Sequence, residues 1–126
     1  MPTDLNSTML FVARLLIGGG FLHAAVFNVP AFDRLTAFLA SRGVPEARLA
    51  LTVATAVQAL ASLLVILGLW VGLASIALIA FTIAVTLVFH NFWDFTGDER
   101  FTKRISFRIN LIALGGLFAL AAACGF

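Results

Sequence analysis

Apolar residues run almost unbroken through four stretches of this chain, from about Thr8 to Asn28, Pro45 to Leu69, Gly72 to Phe92 and Ile105 to Cys124. Each is close to the roughly twenty residues that a helix needs to cross a hydrocarbon layer about 30 Å thick. The runs are continuous rather than alternating in short segments, so they predict helices and not the strands of a barrel. Before the first run, Met1 to Ser7 carries Asp4 and no Lys or Arg, which is unlike the basic lead of a signal peptide, and the run is read as a span. The predicted fold is an all-α integral membrane four-helix bundle, with residues 1–126 forming one transmembrane domain.

The connections carry their own signals. Pro30 and Pro45 bracket a segment in which Phe32, Leu35, Phe38 and Leu39 recur at helical spacing, and Gly43 follows as a C-terminal cap. This predicts a short helix lying in the membrane interface between spans one and two, roofing one end of the bundle. Pro45 suits the first turn of span two, where its missing N–H would have no partner. Trp70 and Val71, flanked by Gly68 and Gly72, leave room only for a tight antiparallel hairpin between spans two and three. Thr96 and Glu99 have the spacing of a capping box ahead of span four. Gly18-Gly19-Gly20 and Gly115-Gly116 predict packing seams, because small residues let helices approach closely.

Composition makes lipid the solvent. The chain is 62% hydrophobic and 11% charged, with thirteen phenylalanines, more apolar surface than one small soluble core can hide. Its formal charge of +2 gives no reason to expect nucleic acid. The distribution of charge says more. Arg34, Arg42 and Arg48 lie in or beside the first connection and Arg100, Lys103, Arg104 and Arg108 in or beside the third, whereas the Trp70-Val71 turn has none. The positive-inside rule then puts the basic connections in the cytoplasm and both termini on the periplasmic side. The single cysteine, Cys124, excludes an internal disulfide and a CxxC exchange motif.

Projected at 3.6 residues per turn, the polar residues of the spans fall into lines: Thr55, Gln58 and Ser62; Thr82, Thr86, His90 and Trp93; Lys103, Ser106 and Asn110. In span one Arg14, Gly18, Phe21, Ala25 and Asn28 share a face, with His23 roughly opposite Arg14. By depth, His23 and His90 sit toward the basic end with Asn110, Gln58 near mid-membrane and Arg14 near the other surface. His23, His90, Trp93 and Asn110 are therefore candidate residues of a shallow pocket for a quinone headgroup, whose carbonyls accept hydrogen bonds and whose ring stacks on an indole. Arg14, Gln58 and Asn91 are read as polar residues that pack or link helices. The alternative reading makes His90, Asn91 and Trp93 interface anchors and leaves Gln58 and Asn110 to bridge helices. Ligation of haem by His23 and His90 is also open. A metal site is not expected, since the only carboxylate in a span is Glu46, at the very edge of the second.

Arg14 with Gly18 and Phe21, Gly43-Val44-Pro45, His90-Asn91-Phe92-Trp93, and Asn110 followed by Gly115-Gly116 together resemble the DoxX family across nearly the whole chain. The resemblance implies a small four-helix protein of the bacterial inner membrane, with some members tied to thiosulfate:quinone oxidoreduction or to oxidant defence. Gln58 stands where an acidic residue is common in that family, and Asn28 near the place of a lysine. The expected function is an accessory or anchor subunit of a quinone-linked membrane redox system, any activity being that of a quinone-linked oxidoreductase. The competing readings are a purely structural subunit of a larger membrane complex and a small-molecule transporter. Expected partners are the bilayer and other membrane subunits or further copies of the chain.

Overall fold

Four helices of the computed structural model, which describes residues 5–89 and 96–125, are long and apolar enough to cross a membrane. They are α1 (Leu5–Asn28), α3 (Ala47–Leu67), α4 (Val71–Phe89) and α5 (Gly97–Cys124), and α2 (Phe32–Ser41) is the short helix expected between the first two. The architecture is an all-α membrane bundle. Leu16, Leu60 and Ile112 are among many large apolar side chains that stay exposed, an arrangement that suits lipid as the surrounding solvent and would be an aggregation hazard in water. Asp4, His90, Asn91 and Trp93 lie outside the described residues.

Packing runs α1 on α3, α3 on α4 and α4 on α5, while α1 and α5 meet only sparsely. The dense core sits toward the α3–α4 hairpin. There Ala61 and Val65 of α3, Ala74 and Leu78 of α4, and Leu117 and Leu120 of α5 form one buried cluster. Gly18 sets the approach of α1 to α3: a Cβ there would come within 2.6 Å of Ile66 Cγ1 and 3.0 Å of the Ser62 carbonyl oxygen. Gly116 is in ordinary reach of Ile17, whereas Gly19, Gly20 and Gly115 face open space, so only part of the two glycine runs acts as a seam.

The hairpin closes with a Schellman motif. Gly68, at φ +79°, lets its own N–H reach Val65 O and the Leu69 N–H reach Leu64 O, satisfying carbonyls that the helix end would otherwise strand. A Cβ on Gly68 would collide with the Arg14 guanidinium, which therefore lies at the C-terminal, partially negative end of α3. At the same end of the bundle the Gly72 N–H donates to Gly125 O at 2.8 Å, joining the start of α4 to the end of α5.

Two local expectations are corrected. Pro45 lies in the turn before α3, whose N-cap is Glu46 at φ +50°, so the proline rigidifies the approach instead of opening the helix. Thr96 does occupy the N-cap of α5 in extended backbone, but its side chain makes no cap hydrogen bond. The helix nevertheless begins at Gly97, about two turns before the apolar span, as the Thr96–Glu99 spacing predicted, with Asp98 to Arg104 continuing it outside the apolar stretch.

Candidate functional site

Away from the hairpin the helices no longer fill the space between them. They enclose a cavity of about 780 Å³, within the range of small-molecule sites. Its walls come from every helix: Gly20, Phe21, Ala24 and Asn28 of α1; Leu35 and Leu39 of α2; Leu51, Ala54, Thr55 and Gln58 of α3; Phe81, Thr82, Val85 and Val88 of α4; Ile109, Asn110 and Ala113 of α5. Small residues at Gly20, Ala24, Ala54 and Ala113 create the room. Because Leu16, Gly20 and Ala24 on one side and Ile109 on the other are both exposed and part of the lining, the cavity opens laterally where α1 and α5 separate.

The roof is α2. It ends in a second Schellman motif, with Gly43 at φ +84°, the Val44 N–H on Leu39 O and the Gly43 N–H on Ala40 O, both at 3.1 Å. Leu39 and Val44, the apolar pair that such a cap brings together, both line the cavity. On its outer side α2 is tied to α3 by an Arg48–Asp33 ion pair at 2.7 Å and by Arg48 over the Phe32 ring, 5.2 Å from its centroid. It is tied to α5 by Lys103, which sits 5.3 Å from the Phe38 ring centroid.

Five polar side chains interrupt the apolar wall: Asn28, Thr55, Gln58, Thr82 and Asn110. Asn110 Nδ2 donates to Thr86 Oγ1 at 2.9 Å, linking α5 to α4. Gln58 Nε2 donates to the Phe21 carbonyl at 2.9 Å, linking α3 to α1. Beyond these bonds, Gln58 Oε1, Thr55 Oγ1 and Thr82 Oγ1 are buried and have no hydrogen-bond partner among the described residues. Such groups are costly in a low-dielectric interior; Thr36 Oγ1 and Ser75 Oγ, which are not in the wall, also lack partners, and it is the gathering of three in one wall that makes this cavity the candidate site.

The candidate residues divide accordingly. Asn110 is in the cavity wall, and so is Gln58, which the sequence suggested only as a packing residue. His23 is not in the wall: it lies five residues past the inward-facing Gly18, about 140° around the helix, exposed and edge-on to Phe27 with ring centroids 4.9 Å apart. Arg14 belongs to the opposite end, beside Gly68 and 5.5 Å from the Phe11 ring centroid. His90, Asn91 and Trp93 fall outside the described residues. With His23 turned outward, the described residues place no histidine inside the bundle, and they contain no group of three His, Cys, Asp or Glu side chains able to hold a metal ion. Asn28, Thr55 and Thr82 were missed as site residues, although the inward faces Arg14–Gly18–Phe21–Ala25–Asn28, Thr55–Gln58–Ser62 and Thr82–Thr86 already carried the signal.

Residues 9–91 match the model of the DoxX family. Over 117 residues, covering 93% of this chain and 83% of the relative, the sequence is 28% identical to inner membrane protein YphA of Escherichia coli (strain K12). No solved structure matches.

Proposed function

The chain belongs to the DoxX family, and on that premise we propose that it is a multi-pass inner-membrane protein that holds a membrane quinone in its hollow half, serving a membrane redox system as an accessory or anchor subunit. The inner membrane follows from four apolar helices and from the name of the Escherichia coli relative. The bias of Lys and Arg toward α2 and the start of α5 favours a cytoplasmic roof, with both termini periplasmic.

The observation that carries the reading is the cavity itself: lipid-facing on one side, apolar over most of its wall, and furnished with unpartnered polar atoms. A quinone fits those walls. Its ring and tail suit Phe21, Leu51, Phe81 and Val85, and the Thr55 and Thr82 hydroxyls can donate to its carbonyls. Bound there, it would supply two-electron, two-proton redox chemistry. The protein residues would orient it and exclude water. His90, in line with Thr82 and Thr86 by helical register, is proposed as the proton-exchanging group, with Trp93 beside the ring.

Equilibrium binding of a short-chain ubiquinone to the purified protein in lipid nanodiscs tests this. Saturable binding at one ligand per chain is expected, weakened more than about tenfold by Ala54→Phe, which fills the cavity, and weakened also by His90→Ala. Absence of saturable binding to the unaltered protein would sink the proposal, and equal binding by Ala54→Phe would move the site elsewhere.

A further inference from the structure

We propose that the cavity selects ligands whose polar head donates a hydrogen bond, with Gln58 as the specificity-determining residue. The inference rests on the cavity being a ligand site, and it adds which chemistry the site prefers. Carbonyl oxygens accept hydrogen bonds and cannot donate them, so the bond from Gln58 to the Phe21 carbonyl can be made only by the amide nitrogen. Turning the amide over would set oxygen against oxygen. The main chain of α1 thereby fixes which way the amide faces, and Oε1 is the atom left over, in a side chain only 2% exposed and part of the cavity wall.

An acceptor in that position discriminates between heads of equal size. A ligand head that offers only lone pairs, such as an ether or a carbonyl, leaves the buried Oε1 unpaired. A hydroxyl head donates to Oε1, and its own oxygen can accept from Thr55, one turn earlier on α3, or from Thr82 of α4. Both hydroxyl oxygens are buried without partners among the described residues, and a hydroxyl rotates freely enough to serve either role. The three groups together are thus complementary to a phenol or alcohol on an apolar body. Lateral access between α1 and α5 further selects molecules that partition into lipid. Within a quinone couple, the reduced dihydroxy form carries donors and the oxidised form does not, so the reduced form is the better match.

A matched pair of probes isolates the donor: 4-hexylphenol and its methyl ether, 4-hexylanisole, titrated against the protein in nanodiscs with affinities referred to the concentration in the lipid phase. The phenol is expected to bind about tenfold more tightly. Gln58 is the sole glutamine of the chain, so labelling glutamine with carbon-13 at its side-chain carbonyl yields one infrared band that reports this residue without any substitution. The phenol should move that band to lower frequency, and the anisole should leave it in place. Equal affinities would overturn the donor preference while leaving the cavity reading intact, whereas failure of both probes and of the ubiquinone would remove the site altogether. Tighter phenol binding with an unmoved band would overturn the assignment to Gln58. Ala54→Phe should abolish both the binding and the band shift, and persistence of the shift would also count against the proposal.

Discussion

The two halves of this bundle solve opposite problems with the same four helices. Toward the hairpin, Leu78 and Leu117 are fully buried and Gly18 brings backbones into near contact, so the space between helices is filled. Toward the roof, Gly20, Ala24, Ala54 and Ala113 supply little volume, and the helices stand apart around a void. Lipid tails are as apolar as leucine, so burying apolar area gains little inside a bilayer, and close packing must hold the helices together. The lesson is that the hairpin half carries the fold, which leaves the other half free to hold something else.

Paired truncations of equivalent leucines give the largest expected contrast. Leu78→Ala, in the filled half, should destabilise the protein toward the upper part of ~2–5 kcal/mol, because the new hole has close-packed neighbours. Leu51→Ala, at a side chain 5% exposed and already bordering the cavity, should cost about 2 kcal/mol or less. Thermal or denaturant unfolding in detergent measures both, and equal losses would mean that the two halves do not differ in packing.

A smaller effect tests whether polar links compensate for sparse packing in the hollow half. Thr86→Val keeps the shape and removes the acceptor for Asn110, so the expected loss is about 0.6–1.7 kcal/mol, the scale of hydrogen bonds between membrane helices. No measurable change would assign the bond a purely orienting role. Smallest of all should be Asp33→Asn at the roof. Both partners of its ion pair with Arg48 are largely exposed, and such pairs contribute under about 1 kcal/mol. A larger loss in the same unfolding assay would make the roof part of the load-carrying structure.

The fold was legible because a bilayer imposes simple requirements on a sequence: four apolar runs of sufficient length, two prolines around an amphipathic turn, and glycines where helices end. Gly43 was readable as a cap since its place after a helical pattern demands a left-handed residue, while Gly68, read as flanking the Trp70-Val71 hairpin turn, proves to be a cap of the same kind. The site was only half legible. Inward faces could be drawn for each helix separately, and Gln58, Thr82 and Asn28 were on them. What the sequence did not show was that the small residues Gly20, Ala54 and Ala113, on three different helices, face one another and leave a void, since periodicity describes one helix at a time. His23 drew attention by residue type and by its depth near the basic end, although its position opposite Arg14 already placed it off the inward face. Pro45 misled for a similar reason: the preference for proline in a first turn is local, and Glu46 takes the left-handed conformation that starts α3 one residue later.

The hydrogen bond between Gly72 and Gly125 has a mechanical consequence. It fastens α5 to the start of α4 at one end, and at about 1.5 Å per residue the 28 residues of α5 form a lever arm roughly 42 Å long. A swing of about 5° around that fastening would carry the far end of the arm by about 4 Å, close to the thickness of an aromatic ring. The long packing of α5 on α4 and the Asn110–Thr86 bond oppose such a swing, whereas α1, which α5 touches only sparsely, does little to oppose it. The width of the lateral opening is therefore set by how α5 lies along α4, and the Gly72–Gly125 bond fixes one end of that seam.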